Sequence, residues 1–354
     1  MTSPTLARFL AEERRRSRAA GEVGAILLQL ATALKEIAAR LAGGALAGAL
    51  GDAGGENCQG ERQQRMDVVA NDLLLGACEW GGHLAALASE ELDAPVLVRS
   101  PHPRGELLLV FDPLDGSSNL DVNGTVGTIF SILRQPADGG AVLGDFLQPG
   151  AAQVCAGYAI YGPSTMLVLT TGRGVHGFTL DPAVGEFVLS HPDLRVPEET
   201  REFSVNASND RFWEPPVRRY VEECLAGREG PRGVDFNMRW AGSMVADVHR
   251  LLMRGGVFLS PRDAREAGRS GKLRLLYEAS PMGMLVEQAG GLASTGRGPL
   301  LEVVPGSLHQ RVPVILGSRR EVERLARYHA DHDDGLDRPY TSPLFNVRSL
   351  LREL

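Results

Sequence analysis

The feature that most limits the fold of this chain is the segment ELLLVFDPLDGSSN at residues 106–119, where an unbroken apolar run ends in two acids. Apolar runs without alternation are typical of strands covered on both faces, as in α/β proteins. In such sheets ligands bind at the ends of the strands. Because Pro113 fixes a bend between them, Asp112 and Asp115 can both turn towards one point.

The two acids are followed at once by Gly116, Ser117 and Ser118. Their successive backbone N–H groups and hydroxyls are typical of a concave site that holds phosphate. The alternative is a turn closed by one aspartate side chain without any ligand. That alternative accounts for one acid and the glycine only, so we expect metal and phosphate ligands side by side.

Length and charge exclude several classes of protein. The chain has 354 residues, which at roughly 100–200 residues per domain is enough for about two domains. Lys and Arg total 37 against 44 Asp and Glu, a net charge of −7, so the basic excess that binds nucleic acid is missing. The apolar stretch at 26–50 is interrupted by Lys35, Glu36 and Arg40, which argues against a membrane span.

The cysteines give no sign of a disulfide framework or a zinc site. They are scattered along the chain without a C-x-x-C pair, at Cys58, Cys78, Cys155 and Cys224. Such a pattern favours reduced thiols and a cytoplasmic location.

The pattern of apolar residues predicts two α/β parts that meet at a polar, proline-containing stretch near 195–200. Residues 43–65 are predicted to be a long mobile connection. The predicted helices are 23–41, 67–80, 214–226, 243–254 and 281–289. The predicted strands are 94–98, 106–111, 126–134, 153–161, 165–171, 175–180, 257–260, 272–277, 300–304 and 313–316. We expect an N-terminal domain over 1–198, a C-terminal domain over 199–330, and an acidic linker with a C-terminal tail over 331–354.

One motif is misleading. Gly172, Gly174 and Gly177 match the G-x-G-x-x-G pattern of dinucleotide sites, which requires a helix directly after it. The residues that follow are predicted to be a strand. We therefore expect a hairpin turn rather than a nucleotide site.

Four further acids stand where elements begin or end. Glu90 and Glu91 precede the predicted strand 94–98, although adjacent acids there can equally be a solvated loop. Asp67 opens a helix, where N-terminal capping is the alternative role. Glu278 closes a largely apolar run. Together with the earlier pair they predict a cluster of hard oxygen ligands, which suits Mg²⁺ or Mn²⁺ rather than Zn²⁺.

Taken together, these residues resemble class I fructose-1,6-bisphosphatase of the bacterial type, in the Mg²⁺-dependent, Li⁺-sensitive phosphatase superfamily that includes inositol monophosphatase. The resemblance covers about residues 20 to 330. It rests on ENCQGERQQRMD, SEE, FDPLDGSSN, LQPG with AGYAIYGPSTMLVL, GSMVADVHR, GKLRLLYE and EQAGGLASTG. It implies a layered α/β/α/β/α sandwich of two subdomains, assembled as a homotetramer.

The resemblance also implies roles for individual residues. The metal shell, for two or three Mg²⁺ that Mn²⁺ can replace, comprises Glu90, Asp112, the carbonyl of Leu114, Asp115 and Glu278. The residues that orient and deprotonate the attacking water are Asp67 and Glu91, joined by Glu61 from the mobile connection. The substrate-binding residues are Asp115, Gly116, Ser117 and Ser118 at the 1-phosphate, Asn206, Met244 and Lys272 at the sugar and 6-phosphate, and Arg239 from a neighbouring subunit.

The implied activity is metal-dependent hydrolysis of the 1-phosphate of fructose 1,6-bisphosphate, as in gluconeogenesis or the Calvin cycle. The family usually has tyrosines where this chain has Trp240, Asn209 and Ser260, so sedoheptulose 1,7-bisphosphate stays open as a sole or second substrate. A non-catalytic sugar-phosphate sensor is the alternative from another class.

The same resemblance bears on regulation. An AMP pocket of the family's kind uses Thr, Lys and Tyr where this chain has Ala20, Glu106 and Leu107. Three positions of that pocket are retained, namely Gly21, Glu22 and Arg134. The exchange of a lysine for an acid predicts repulsion of the nucleotide phosphate.

Overall fold

The computed structural model describes residues 3–16, 18–48, 50–56, 60, 62–136, 143–265 and 271–336. Its helices are α1 Leu6–Arg16, α2 Arg18–Gly43, α3 Arg65–Cys78, α4 Pro215–Ala226, α5 Met244–Arg254, α6 Ser280–Gln288 and α7 Arg319–Asp333, with a π-helix at Leu275–Ala279. None of the described helices is long and apolar enough to cross a membrane.

The described residues contain seventeen strands, numbered here in chain order. The first ten are β1 Asp52–Glu56, β2 Arg62–Gln64, β3 Leu84–Ser89, β4 Val96–Leu97, β5 Leu107–Asp115, β6 Val126–Arg134, β7 Cys155–Tyr161, β8 Thr165–Thr170, β9 His176–Asp181 and β10 Glu186–His191. The rest are β11 Glu202–Val205, β12 Asn237–Met238, β13 Val257–Ser260, β14 Leu273–Arg274, β15 Leu292–Ser294, β16 Arg311–Val312 and β17 Val314–Gly317.

The strands form two main sheets. The larger has eight strands in the order β10-β9-β8-β7-β6-β5-β3-β4, and β3 and β5 are its parallel neighbours. The smaller has five strands in the order β12-β11-β13-β17-β15. Two short antiparallel pairs, β1-β2 and β14-β16, lie outside these sheets.

Helices cover both sheets, and the result is five layers. Leu30 of α2 and Leu109 of β5 belong to the same apolar core on one face of the large sheet. Between the sheets, Val248 of α5 packs with Tyr158 and Phe258. On the far face of the small sheet lie α4 and α7, whose side chains pack against Val257 and its neighbours. Because alternate residues of a strand face opposite sides, Val257 and Phe258 serve two different cores. The layered α/β/α/β/α sandwich is confirmed.

The structure corrects several predicted elements. The predicted connection at 43–65 contains β1 and β2. The predicted strand 300–304 is a 3₁₀ turn, Leu300–Glu302. The predicted strand 272–277 stops at Arg274, because the chain then winds into the π-helix. In contrast, the glycine motif is a hairpin turn between β8 and β9, as expected.

Two predicted segments need separate mention. α7 runs to Asp333, so the start of the expected acidic linker is helical. Residues 337–354 of the expected C-terminal tail lie outside the described residues.

Candidate active site

Two parallel strands bring acids to one edge of the large sheet. β3 ends at Ser89, which pairs with Phe111 of β5. The N–H of Glu90 donates to the carbonyl of Phe111 at 3.1 Å. Glu90, which directly follows β3, and Asp112, which lies within β5, are therefore at the same level of the sheet.

Glu278 joins these acids from the π-helix. One carboxylate oxygen from each of Asp112, Asp115 and Glu278 lies within 4.8 Å of the other two, and all three side chains are buried. π-helical turns are rare and are frequent at functional sites. Here the wide turn lets Glu278 fold back over the strand that precedes it, and its Oε2 accepts the N–H of Arg274 at 2.6 Å. The structure thus brings together the three acids whose convergence the sequence predicts.

Burial and mutual repulsion raise the pKa values of this cluster. Burial is the larger cause for Asp112, with added repulsion from Glu90, and its pKa lies well above the usual value. Burial also raises the pKa of Asp115, although hydrogen bonds from Ser243 and Val245 oppose it. The pKa of Glu278 rises to about 7, again mainly by burial.

One buried cation, Arg274, lies among these acids. Its Nη1 is 2.9 Å from Oε1 of Glu90 and 3.8 Å from Oε2 of Glu278. Arg274 was not among the predicted site residues. The available signal was a charged residue between leucines in KLRLL, which is unusual for a strand.

The donor set fits a hard divalent cation. Buried carboxylate oxygens that repel one another are stabilised by a cation placed between them, and oxygen ligands of this kind suit Mg²⁺ and Mn²⁺. Leu114, whose carbonyl is a predicted ligand, lies between Asp112 and Asp115, and its N–H donates to Oδ1 of Asp112 at 3.0 Å.

Asp67 and Glu91 lie beside the cluster. Asp67 is in the first turn of α3, where its Oδ2 accepts the N–H of Gln64 at 2.7 Å. A hydrogen bond also joins it to Ser117, and burial raises its pKa to about 7. Oε2 of Glu91 accepts from Nε2 of Gln63 at 2.5 Å. Glu61, the third predicted catalytic acid, lies outside the described residues.

The glycine-serine segment faces the start of α5. Gly116 has a φ of +76°, and a Cβ there would lie 2.6 Å from Cβ of Ser243, so the close approach requires glycine. Ser243 caps α5, and its Oγ donates to Oδ2 of Asp115 at 2.6 Å. Met244 is buried, and its backbone also hydrogen-bonds Asp115. Ser243 was missed because its partner is 128 residues away.

A cavity of about 80 Å³ adjoins this site. It is lined by several of the singled-out residues, among them Asn206, Asn209, Trp240, Ser260 and Lys272. The charge of Lys272 lowers the pKa of Asp115, which links the cavity to the acidic cluster. Arg239 is exposed and does not line this cavity.

Comparison with known proteins agrees with this geometry. The sequence model of the fructose-1-6-bisphosphatase N-terminal domain matches residues 4–192, and that of the C-terminal domain matches residues 196–330. The chain belongs to the fructose-1,6-bisphosphatase family. Fructose-1,6-bisphosphatases are metal-dependent and act on a sugar bisphosphate, which agrees with a cluster that could hold a metal.

Individual fructose-1,6-bisphosphatases are similar over nearly the whole chain. "Fructose-1,6-bisphosphatase class 1 3" of Methylibium petroleiphilum is 58% identical over 99% of this chain and 98% of its own length. "Fructose-1,6-bisphosphatase class 1" of Hydrogenophilus thermoluteolus is 58% identical with the same coverage. The holo crystal structure of Leishmania major fructose-1,6-bisphosphatase has a TM-score of 0.87 and 38% identity, over 93% of this chain and 100% of that one.

The raised pKa of Asp67 predicts a pH-dependent stability. A carboxyl group with a pKa of about 7 when folded and an ordinary value of 3.8 when unfolded takes up its proton at higher pH in the folded state. Stability without metal should therefore rise as pH falls from 8 to 5. In EDTA, we expect Asp67→Asn to reduce this rise in melting temperature by about 2 °C or more.

The matched control is Asp72→Asn, an exposed carboxyl group on the same helix. It should leave the pH dependence of the melting temperature as in the wild type. An Asp67→Asn curve parallel to that of the wild type would contradict the assignment.

Proposed function

We propose that this chain hydrolyses the 1-phosphate of fructose 1,6-bisphosphate to fructose 6-phosphate and inorganic phosphate. One observation carries the proposal: three buried carboxylates within 4.8 Å of one another stand where β5 leads into Gly-Ser-Ser. The names of relatives that are 58% identical support the choice of substrate.

In this proposal, Asp67 and Glu91 orient the attacking water and accept its proton. A base works best when its pKa is near the working pH, and the pKa of Asp67 is about 7. Glu61 is the third acid of this group. Ser117 and Ser118 bind phosphate and form no covalent bond to it.

The cofactor is proposed to be Mg²⁺, two or three ions per site, with Mn²⁺ as a substitute. The residues that would hold it are Glu90, Asp112, the carbonyl of Leu114, Asp115 and Glu278. When bound, divalent ions of this kind neutralise phosphoryl oxygens and stabilise the leaving oxygen.

The substrate is proposed to lie between the glycine-serine segment and the Lys272 cavity. Asp115, Gly116, Ser117 and Ser118 would bind the 1-phosphate end, and Asn206, Met244 and Lys272 the sugar and the 6-phosphate. Arg239 would contact that phosphate from a neighbouring subunit of a homotetramer. Its exposure and its position outside the cavity support this role.

Further proposals concern the domain boundaries, the cellular location and the source of the substrate. The N-terminal domain is proposed to end at residue 198 and the C-terminal one at 330, close to the limits of the two matching family models. The free, buried thiols of Cys78, Cys155 and Cys224 support a reducing, cytoplasmic setting. Gluconeogenesis or the Calvin cycle would supply the substrate.

The test of the function is release of phosphate with Mg²⁺ from fructose 1,6-bisphosphate and sedoheptulose 1,7-bisphosphate, measured side by side. Comparable kcat/KM values would make the enzyme dual. A sedoheptulose preference would assign the site around Trp240 and Ser260 to the longer sugar. No phosphate released from either sugar would overturn the proposal.

The proposed role of Glu91 predicts a loss of turnover. Glu91→Gln keeps the shape of the side chain but removes its ability to accept a proton. We expect kcat to fall by about 10²-fold or more, while the Kd of fructose 1,6-bisphosphate stays near the wild-type value. The control is Asp93→Asn, an exposed acid nearby, which should keep normal turnover. Near-normal kcat in Glu91→Gln would remove the assignment.

The proposed metal shell predicts a changed metal requirement. Asp115→Asn keeps an oxygen that can accept from Ser243 and Val245 but loses the negative charge. The Mg²⁺ concentration for half-maximal activity should rise by about tenfold or more, and equally for Glu278→Gln. The exposed Asp121→Asn serves as control. Full activity of the wild type after exhaustive chelation would exclude the metal site.

The residues at the AMP position predict weak inhibition by AMP. Leu107, which opens β5 opposite Arg134, lacks a phenol, and the exposed Glu106 repels phosphate. Each lost charge-assisted hydrogen bond costs about 1.5–3 kcal/mol, so affinity should be lower by about a hundredfold or more. A dose–response curve in saturating Mg²⁺ checks this. Half-inhibition at micromolar AMP would show that the pocket binds through other contacts.

A further inference from the structure

A cavity of about 690 Å³ lies in the second half of the chain and shares no lining residue with the site described above. It is bordered by residues 199–202 at the start of β11, by Arg254 at the end of α5, and by Arg320 and Arg324 near the start of α7. Its volume is in the range of about 300–1,000 Å³ that is usual for small-molecule sites.

Arginines dominate the charge of this cavity. Among the described residues, five arginines line it, against three glutamates. Each of those glutamates already has a cation: Glu321 binds Arg232, Glu199 binds Arg320, and Glu202 binds Arg250, at 2.7 and 2.8 Å in the last pair.

Three arginines of the cavity are left without such a partner. Within the described ranges, no carboxylate lies at ion-pair distance from Arg201, Arg254 or Arg324. The first two are exposed. Arg254 acts on Glu202 only at longer range, where it adds to the larger lowering of the pKa of that carboxyl group by Arg250. Nη1 of Arg324 donates to the hydroxyl of Tyr328 at 3.4 Å, whereas its buried Nε has no hydrogen-bond partner among the described residues.

The wall of the cavity is held firmly. The guanidinium of Arg232 lies 4.5 Å from the ring centre of Phe236 and 5.5 Å from that of Tyr220. Its Nη2 donates to both oxygens of Glu321 at 2.5 and 2.7 Å. These contacts fix the position of Arg232, and Glu321 balances its charge.

We propose that this cavity binds a small metabolite that carries a diphosphate group. Guanidinium groups match phosphate oxygens in geometry and form strong charge-assisted hydrogen bonds with them. Three uncompensated arginines provide charge for at least two phosphates. The glutamates are already neutralised, so they add little repulsion. The proposal is independent of the hydrolysis assigned to the acidic cluster.

The test is calorimetric titration of the EDTA-treated full-length protein with inorganic pyrophosphate. The double variant Arg201→Gln with Arg254→Gln should weaken binding by about tenfold or more. Binding of pyrophosphate at Ser117 and Ser118 would not depend on Arg201 or Arg254. Only the part of the measured binding that the double variant loses is therefore assigned to the cavity.

The matched control is Arg327→Gln, which removes the same charge from an exposed position on α7 that does not line the cavity. It should bind pyrophosphate as the wild type does. Unaltered melting temperatures without ligand establish that the variants are folded.

Three results would overturn the proposal. These are the absence of pyrophosphate binding by the wild type, unchanged binding by the double variant, and equal weakening in Arg327→Gln. Citrate that binds as tightly as pyrophosphate, with the same dependence on Arg201 and Arg254, would overturn the assignment to a diphosphate.

Discussion

The contact between Arg274 and the acids around it is the interaction on which the candidate site depends. Glu90, Asp112, Asp115 and Glu278 are all buried, and buried charges are costly unless they are paired. Arg274 offers its guanidinium to Glu90 and its backbone N–H to Glu278. It therefore holds the acid that follows β3 and the acid of the π-helix at one place, without supplying enough charge to neutralise the cluster. The acids that Arg274 does not neutralise could hold a metal ion.

The layered fold explains how distant segments reach this place. Parallel pairing of β3 with β5 brings Glu90 beside Asp112. The layer of helices between the two sheets supplies the start of α5, whose cap and first N–H groups bind Asp115. Each contact is local in space but joins parts of the chain that are far apart in sequence.

Asp112 and Asp115 could be predicted as site residues because the features that mark them lie close to them in the sequence. The apolar run before Asp112, the proline after it and the serines beyond Asp115 can all be recognised in one short segment. The five layers were likewise anticipated, through a family resemblance. β3 was missed as a strand, because LAALAS is rich in alanine, which has a low preference for strands. Because β3 was not predicted, its parallel pairing with β5, which positions Glu90, could not be predicted either.

Arg274 and Ser243 were not predicted as site residues, for a different reason. Their roles depend on partners set by the tertiary fold: a π-helical turn for Arg274, and an acid 128 residues away for Ser243. Ser243 carries a recognisable helix-capping signal, but that signal alone says nothing about Asp115. Residues whose roles depend on such tertiary contacts can be identified only from the folded structure.

One helix runs from the acidic cluster to the arginine-lined cavity. α5 has 11 residues and a length of about 16 Å, and it has Ser243 at its beginning and Arg254 at its end. If α5 shifted along its axis as a unit, Arg254 and Ser243 would move together, and the hydrogen bond from Ser243 to Oδ2 of Asp115 would change with them.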